Sequence, residues 1–182
     1  MTGGGRNGTN KDMGDEDIIV TPPCWRVVHV KPRCEKKLAT YCGVNSVTCD
    51  LPLREETKVY QRRRVTVTKP VFPGYCFLKY GEAQKIVVLK SNLLVRVLEV
   101  VDQNQLVREL EQVRQALAVD PTLDACAAFQ AGKRVSIRSG PFCGLEGVVQ
   151  MVRGKARVVL NVEMIGRALA VEVDMEMLEP AE

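Results

Sequence analysis

The clearest structural signal in the first part of the chain is Trp25-Arg-Val-Val-His-Val-Lys-Pro-Arg-Cys-Glu-Lys-Lys-Leu-Ala39. Its beginning is rich in β-branched and aromatic residues, which predicts a strand over residues 24–30. Pro32 suits the first turn of a helix, where its missing N–H costs no hydrogen bond. One face of that helix carries the apolar residues Cys34, Leu38, Tyr41 and Cys42, and Gly43 can end it. The stretch therefore predicts a strand followed directly by an amphipathic helix.

Extended and helical patterns alternate from this stretch to Pro121. Extended segments are predicted over residues 44–53, 65–71, 72–80 and 93–101, and residues 54–64 form a charged excursion. Helices are predicted over residues 82–90 and after the capping residue Asp102. The second of these helices shows an apolar face of Leu106, Leu110, Val113 and Leu117. The order β-α-β-β-α-β-α indicates an antiparallel sheet with the helices on one side.

The pattern changes at Gly132, where short strands and tight turns begin. Strands are predicted over residues 133–138, 146–152, 156–163 and 167–174. The first turn reads Arg138-Ser-Gly-Pro-Phe-Cys-Gly-Leu-Glu-Gly-Val-Val149. Its three glycines supply the positive φ angles that a tight barrel corner requires. A phosphate-binding loop is disfavoured because no helix follows and no Gly-Lys-Ser/Thr ending is present.

These patterns predict an α+β chain, an antiparallel sheet flanked by helices and followed by a small all-β SH3-like barrel. Residues 1–17 lack apolar spacing and are predicted to be a disordered tail. The first domain is predicted over residues 18–120, a linker over 121–131 and the barrel over 132–182. The helical propensity of residues 125–131 leaves open that they extend or cap the preceding helix instead.

Composition excludes several function classes. The chain has 26 basic and 22 acidic residues, a net charge of +4, which tolerates nucleic acid without requiring it. No apolar run is long enough to span a bilayer and no secretory signal is recognisable, so a cytoplasmic protein is expected. The seven cysteines are scattered, with no metal-binding spacing, and are predicted to be reduced and mostly buried. No metal or other cofactor is expected.

Two motifs carry a resemblance to a known family. The glycine-rich turn resembles the KOW motif, which NusG-type factors share with several ribosomal proteins. The Trp25–Ala39 stretch and the downstream run Lys69-Pro-Val-Phe-Pro-Gly-Tyr-Cys-Phe-Leu78 resemble the N-terminal (NGN) domain of NusG-type transcription elongation factors. The Lys-Pro-Arg-x-Glu-Lys-Lys form is closer to specialised RfaH-like antiterminators than to the general factor.

The resemblance implies a transcription elongation and antitermination factor rather than an enzyme. In that family, an apolar patch of the N-terminal domain binds the clamp helices of the largest RNA polymerase subunit. By position, the patch comprises Phe72, Tyr75, Phe77 and His29. Strict alternation requires about half of the aromatics to be buried, and Tyr75 and Phe77 are predicted to be the exposed pair.

The resemblance also implies contact with the non-template DNA strand of the transcription bubble. The basic cluster Lys31, Arg33, Lys36 and Lys37 at the start of the first helix would supply it. Arg62-Arg63-Arg64 is a second basic cluster, and either cluster can instead be an ordinary solvated face. The barrel would recruit a ribosomal protein, a termination factor or RNA.

Two other functions remain open at this stage. A ribosome-associated RNA-binding protein would use the KOW barrel alone. A small cysteine-dependent enzyme would need an activated thiol. His29, the only histidine, alternates with Trp25 and Val27 along a strand, which favours a packing or interface role over catalysis.

Overall fold

The computed structural model describes residues 22–152 and 154–181, so the predicted tail lies outside the described residues. The first part of the chain contains β1 (Cys24–Val30), α1 (Glu35–Val44), β2 (Thr48–Asp50), β3 (Leu53–Tyr60), β4 (Arg63–Pro70), β5 (Tyr75–Tyr80), α2 (Glu82–Lys90), β6 (Leu94–Glu99) and α3 (Gln103–Val119). The second part contains β7 (Ala125–Ala127), β8 (Arg134–Ile137), β9 (Glu146–Val152), β10 (Lys155–Val162), β11 (Arg167–Val173) and β12 (Leu178–Pro180). The predicted α+β class is confirmed.

The first sheet has the order β2-β5-β1-β6, and its described pairings are antiparallel. Val27 and Val28, adjacent in the central strand β1, are both fully buried, so both sheet faces are covered. Val28 packs with the apolar residues of α1 and α2, whereas Val27 packs with those of α3. The prediction that all helices lie on one side is therefore wrong, because the sequence pattern does not show to which face each helix returns.

Helix α3 begins where its cap was predicted. The Asp102 carboxylate accepts a hydrogen bond from the Gln105 N–H at 2.8 Å, which satisfies one otherwise unpaired donor of the first turn. Its buried residues are Leu106, Leu110, Val113 and Ala116. The buried face is thus rotated slightly from the predicted one, and Leu117 is only partly buried.

The charged excursion predicted for residues 54–64 is wrong, because this segment belongs to a regular β-hairpin. Strands β3 and β4 pair along their whole length, from Leu53 opposite Pro70 to Tyr60 opposite Arg63. Most of β4 lies in the segment predicted as extended over residues 65–71, whereas β3 consists mainly of charged and polar residues and lacks the apolar alternation by which a strand is recognised. The turn between the strands consists of Gln61 and Arg62.

The second sheet has the order β12-β8-β9-β10-β11-β7 and forms the predicted all-β unit. Its first strand, β7, lies within the segment predicted as a linker and pairs with β11. Gly140 and Gly144 have φ angles of 87° and 89°, as expected for a tight corner. Gly147 differs, because a Cβ there would lie 2.5 Å from the Val159 carbonyl oxygen. Glycine is required at this position because two backbones pack closely there, and not because φ is positive.

Helix α3 joins the two parts of the chain. The Gln112 side-chain oxygen accepts a hydrogen bond from the Glu146 N–H at 2.7 Å, and Glu109 accepts one from the Glu163 N–H at 3.2 Å. Burial at this junction raises the pKa of the Glu109 carboxyl. One apolar cluster contains residues from β1, β5, α3 and the second sheet.

Candidate functional site

Two of the four residues predicted to bind polymerase form an accessible aromatic pair. His29 on β1 lies opposite Tyr75 on β5 in the strand register, and their ring centroids are 5.3 Å apart. His29 is exposed and Tyr75 is half-buried. The sheet therefore presents a small mixed aromatic surface where β1 ends and β5 begins.

The other two aromatics lie in the core. Phe72 and Phe77 are 2% and 0% exposed, and their rings meet edge to face with centroids 6.3 Å apart. The prediction that Phe77 is exposed is wrong. Tyr75 and Phe77 share one face of β5, but Phe77 lies two residues further into the sheet, where the α3 cluster covers that face. Phe77 can therefore support the surface from below but cannot contact a partner.

Glu35 positions the turn that carries Tyr75, a role that no sequence pattern indicates. Its side chain is only 6% exposed, and its carboxylate accepts a hydrogen bond from the Gly74 N–H at 2.7 Å. Gly74 has a φ of 85°, and its carbonyl accepts a hydrogen bond from the Val30 N–H at 2.8 Å. Along the sequence, Glu35 looks like one more charge in a basic segment, and burial alone distinguishes it.

The four residues of the basic cluster are exposed but not equally available. The Lys31 ammonium donates to the Asn92 carbonyl at 2.6 Å. The Lys36 ammonium donates to the Thr68 carbonyl at 2.6 Å and to the Thr68 hydroxyl at 2.7 Å, which ties α1 to the hairpin. Within the described residues, Arg33 and Lys37 have no side-chain hydrogen bond or ion pair. These two are the cations of the cluster best able to meet a phosphate.

The segment before the second sheet lies beside the aromatic surface. A cavity of about 240 Å³ is lined by Phe72 and Tyr75 from the first part and by Asp124, Ala125 and Arg167 from the segment and the barrel. Tyr75 thus contacts both this cavity and the His29 ring, whereas His29 does not line the cavity.

The seven cysteines differ in their exposure. Cys42 and Cys76 are fully buried, Cys143 is exposed and the remaining four are half-buried, so burial is less general than predicted. A hydrogen bond with Cys49, together with burial, raises the pKa of the Cys42 thiol, which keeps it protonated and poorly nucleophilic. Residues 22–152 and 154–181 contain no cluster of three or more potential metal ligands.

In the described part of the chain, the helices are too short or too polar to cross a lipid bilayer.

Comparison with known proteins identifies the family of the first part of the chain. The model of the family described as "Transcription termination factor nusG" matches residues 23–123, more than half of the chain. A curated relative, the transcription termination/antitermination protein NusG of Staphylococcus aureus, is 27% identical over 178 residues. That alignment covers 85% of this chain and 94% of the relative. The chain belongs to the NusG family of transcription termination and antitermination factors, which confirms the predicted resemblance.

The similar solved structures include that of NusG from Thermotoga maritima. It is 20% identical, with a TM-score of 0.49, and the match covers 88% of this chain and 98% of that one. Whether the chain is a general factor or an RfaH-like one stays a prediction.

Proposed function

We propose that this protein is a transcription elongation and antitermination factor that binds RNA polymerase through its N-terminal part. His29 and Tyr75 form the centre of the surface that docks on the clamp helices of the largest subunit. The observation that carries the proposal is this accessible aromatic pair, which lies inside the range matched by the family model. The barrel then recruits a ribosomal protein, a termination factor or RNA to the transcribing complex.

The surface has the physical properties of a small interface hot spot. A few aromatic side chains in a rigid setting carry most of the binding free energy in many interfaces. The Glu35–Gly74 hydrogen bond holds the backbone next to Tyr75, and Tyr75 packs against the buried cluster that contains Phe72 and Phe77. Little conformational entropy is lost when such a side chain is buried by a partner.

Replacement of Tyr75 by serine in the full chain should weaken binding to purified bacterial RNA polymerase by about tenfold or more, as expected for a central aromatic anchor. Binding is measured by biolayer interferometry with immobilised polymerase. Ile86→Ser is the matched control, because Ile86 is a 62% exposed apolar residue on α2, which packs on the opposite face of the sheet. Thermal unfolding of both variants checks that the fold is retained.

Two results would contradict this proposal. Equal binding by the Tyr75→Ser and wild-type proteins would remove the aromatic surface from the interface. Absence of polymerase binding by the wild-type chain would remove the proposed function itself, and a ribosome-associated KOW protein would then be the better account.

The second part of the proposal concerns the basic cluster and the non-template DNA strand. Arg33→Glu combined with Lys37→Glu should weaken binding to an assembled elongation complex, and the difference from wild type should shrink as salt rises. Lys79→Glu combined with Lys90→Glu reverses the same number of exposed charges elsewhere and should have a smaller effect. The same variants measured on polymerase without nucleic acid separate DNA contact from protein contact. If the Arg33→Glu, Lys37→Glu variant bound like the wild type across the salt titration, the basic cluster would not be a DNA contact.

A further inference from the structure

The hairpin formed by β3 and β4 is a separate two-stranded sheet. Among the described residues, these two strands pair only with each other. Its base is attached to the body, since the Glu55 N–H donates to the Pro121 carbonyl at 2.6 Å and the Arg54 guanidinium lies 3.2 Å from the Asp124 carboxylate. Toward the tip, Val59 and Tyr60 are 67% and 56% exposed. The hairpin is thus a fixed arm with a free end.

Positive charge is concentrated at that free end. Residues 57–66, the half of the hairpin nearest the turn, contain four basic residues and no acidic one. One of them, Lys58, and Lys69 at the base form ion pairs with Glu56 at 3.7 Å and 2.6 Å, and these pairs lower the pKa of the Glu56 carboxyl. The other three, Arg62, Arg63 and Arg64, form no ion pair within the described residues. Their charge is therefore available to an external anion.

An aromatic ring lies among these cations. Tyr60 is directly opposite Arg63, and Lys58 lies two residues before Tyr60 on the same face of the hairpin. This face therefore offers a flat, exposed ring with a cation on either side. Proteins that bind single-stranded nucleic acid combine these two elements, because bases stack on aromatic rings while basic side chains bind the phosphates.

The turn itself is built from residues that disfavour its backbone. Gln61 and Arg62 have φ angles of 46° and 67°, the left-handed region required at both central positions of a type I′ turn. Asparagine and glycine adopt that region with little strain, whereas glutamine and arginine do not. The stability of the turn therefore does not explain why an arginine occupies position 62.

We propose that the tip of this hairpin is a second nucleic-acid contact, in which Tyr60 stacks on an unpaired base and the arginines bind the adjacent phosphates. The charges at the tip complement a phosphodiester backbone, and the exposed ring selects an unpaired strand over a duplex. Unpaired DNA and unpaired RNA offer the same chemistry. This contact does not depend on polymerase binding, so it is measured on the free full-length chain.

The test is fluorescence anisotropy with labelled oligothymidylate, oligouridylate and a short DNA duplex. Arg62→Gln, Arg63→Gln and Arg64→Gln combined should lower the affinity for a single strand about tenfold at low salt. The salt dependence between about 50 and 200 mM should also become shallower. Tyr60→Ala should lower affinity roughly fivefold or more, and Tyr60→Phe should retain it. The relative affinities for oligothymidylate and oligouridylate show whether the tip prefers DNA or RNA.

The matched control combines Lys79→Gln, Lys90→Gln and Arg96→Gln, which removes three exposed charges elsewhere on the first domain. An equal loss in this control would overturn the proposal, because net charge alone would then explain it. A silent Tyr60→Ala variant, or tighter binding to the duplex than to the single strands, would overturn the stacking contact. If the arginine variant lost binding to polymerase but not to the oligonucleotides, the tip would be a protein contact and the proposal would fail.

Discussion

Replacement of Phe77 by alanine should lower the free energy of unfolding by about 3 to 5 kcal/mol. The side chain is fully buried and contacts Phe72 edge to face, so its removal leaves a cavity in the cluster that also holds α3 and part of the barrel. The measurement is urea unfolding followed by tryptophan fluorescence, since Trp25 is the only tryptophan and packs against the same cluster.

The matched variant for this measurement is His29→Ala. His29 is exposed, so its removal should change the free energy of unfolding by no more than about 0.5 kcal/mol. The two residues lie in the same small region. The pair of variants therefore distinguishes a buried residue that supports the surface from an exposed residue that can contact a partner. A loss of less than about 1 kcal/mol in the free energy of unfolding for Phe77→Ala would mean that Phe77 is not a core residue. The exposed side chain predicted from the sequence would then be the better description.

Replacement of Gly147 by alanine should destabilise the barrel by about 3 kcal/mol. The new Cβ would lie 2.5 Å from the Val159 carbonyl oxygen and 2.8 Å from Cγ1 of Val158. Val159 belongs to β10, which pairs with β9 on one side and β11 on the other, so its backbone cannot withdraw without loss of hydrogen bonds. Urea unfolding and hydrogen exchange of the β9 and β10 amides both report the effect.

Gly144→Ala is the control in the same turn. Gly144 has a φ of 89° but no atom within 4 Å of its added Cβ, so only backbone strain of about 1 kcal/mol is expected. The difference in free energy of unfolding between the two variants separates the steric clash from the backbone strain that replacing a glycine causes. Equal costs in the two variants would show that the close approach at Gly147 relaxes easily, and its proposed packing role would be wrong.

The elements that the sequence predicted well are those with local signals. Helix α2 occupies the predicted residues 82–90, and Asp102 caps α3 as predicted. Four predicted barrel strands match β8 to β11 to within one or two residues at each end. Periodicity, caps and turn residues act over a few neighbouring positions, so they can be read without knowledge of the tertiary fold.

The elements that were missed depend on distant parts of the chain. Strand β7 exists because β11 provides an edge for it, and the Ala-rich segment has no alternation of its own. Strand β3 was missed because its half-buried face carries Arg54, Glu56 and Lys58, which form ion pairs there instead of an apolar stripe. Hydrophobic periodicity reflects the burial of apolar residues, so a strand whose covered face is charged gives no such signal.

The features of the candidate site can also be divided into those that follow from the local sequence and those that follow from the tertiary fold. By itself, the sequence determined the family, the order of elements and the segment that carries the aromatic and basic residues, because motif and spacing are properties of the chain. The tertiary structure alone decided that Phe77 is buried while His29 and Tyr75 are accessible, and that Glu35 holds the Gly74 turn. Exposure depends on which elements cover a side chain, and here α3 and α1 arrive from opposite faces of the sheet.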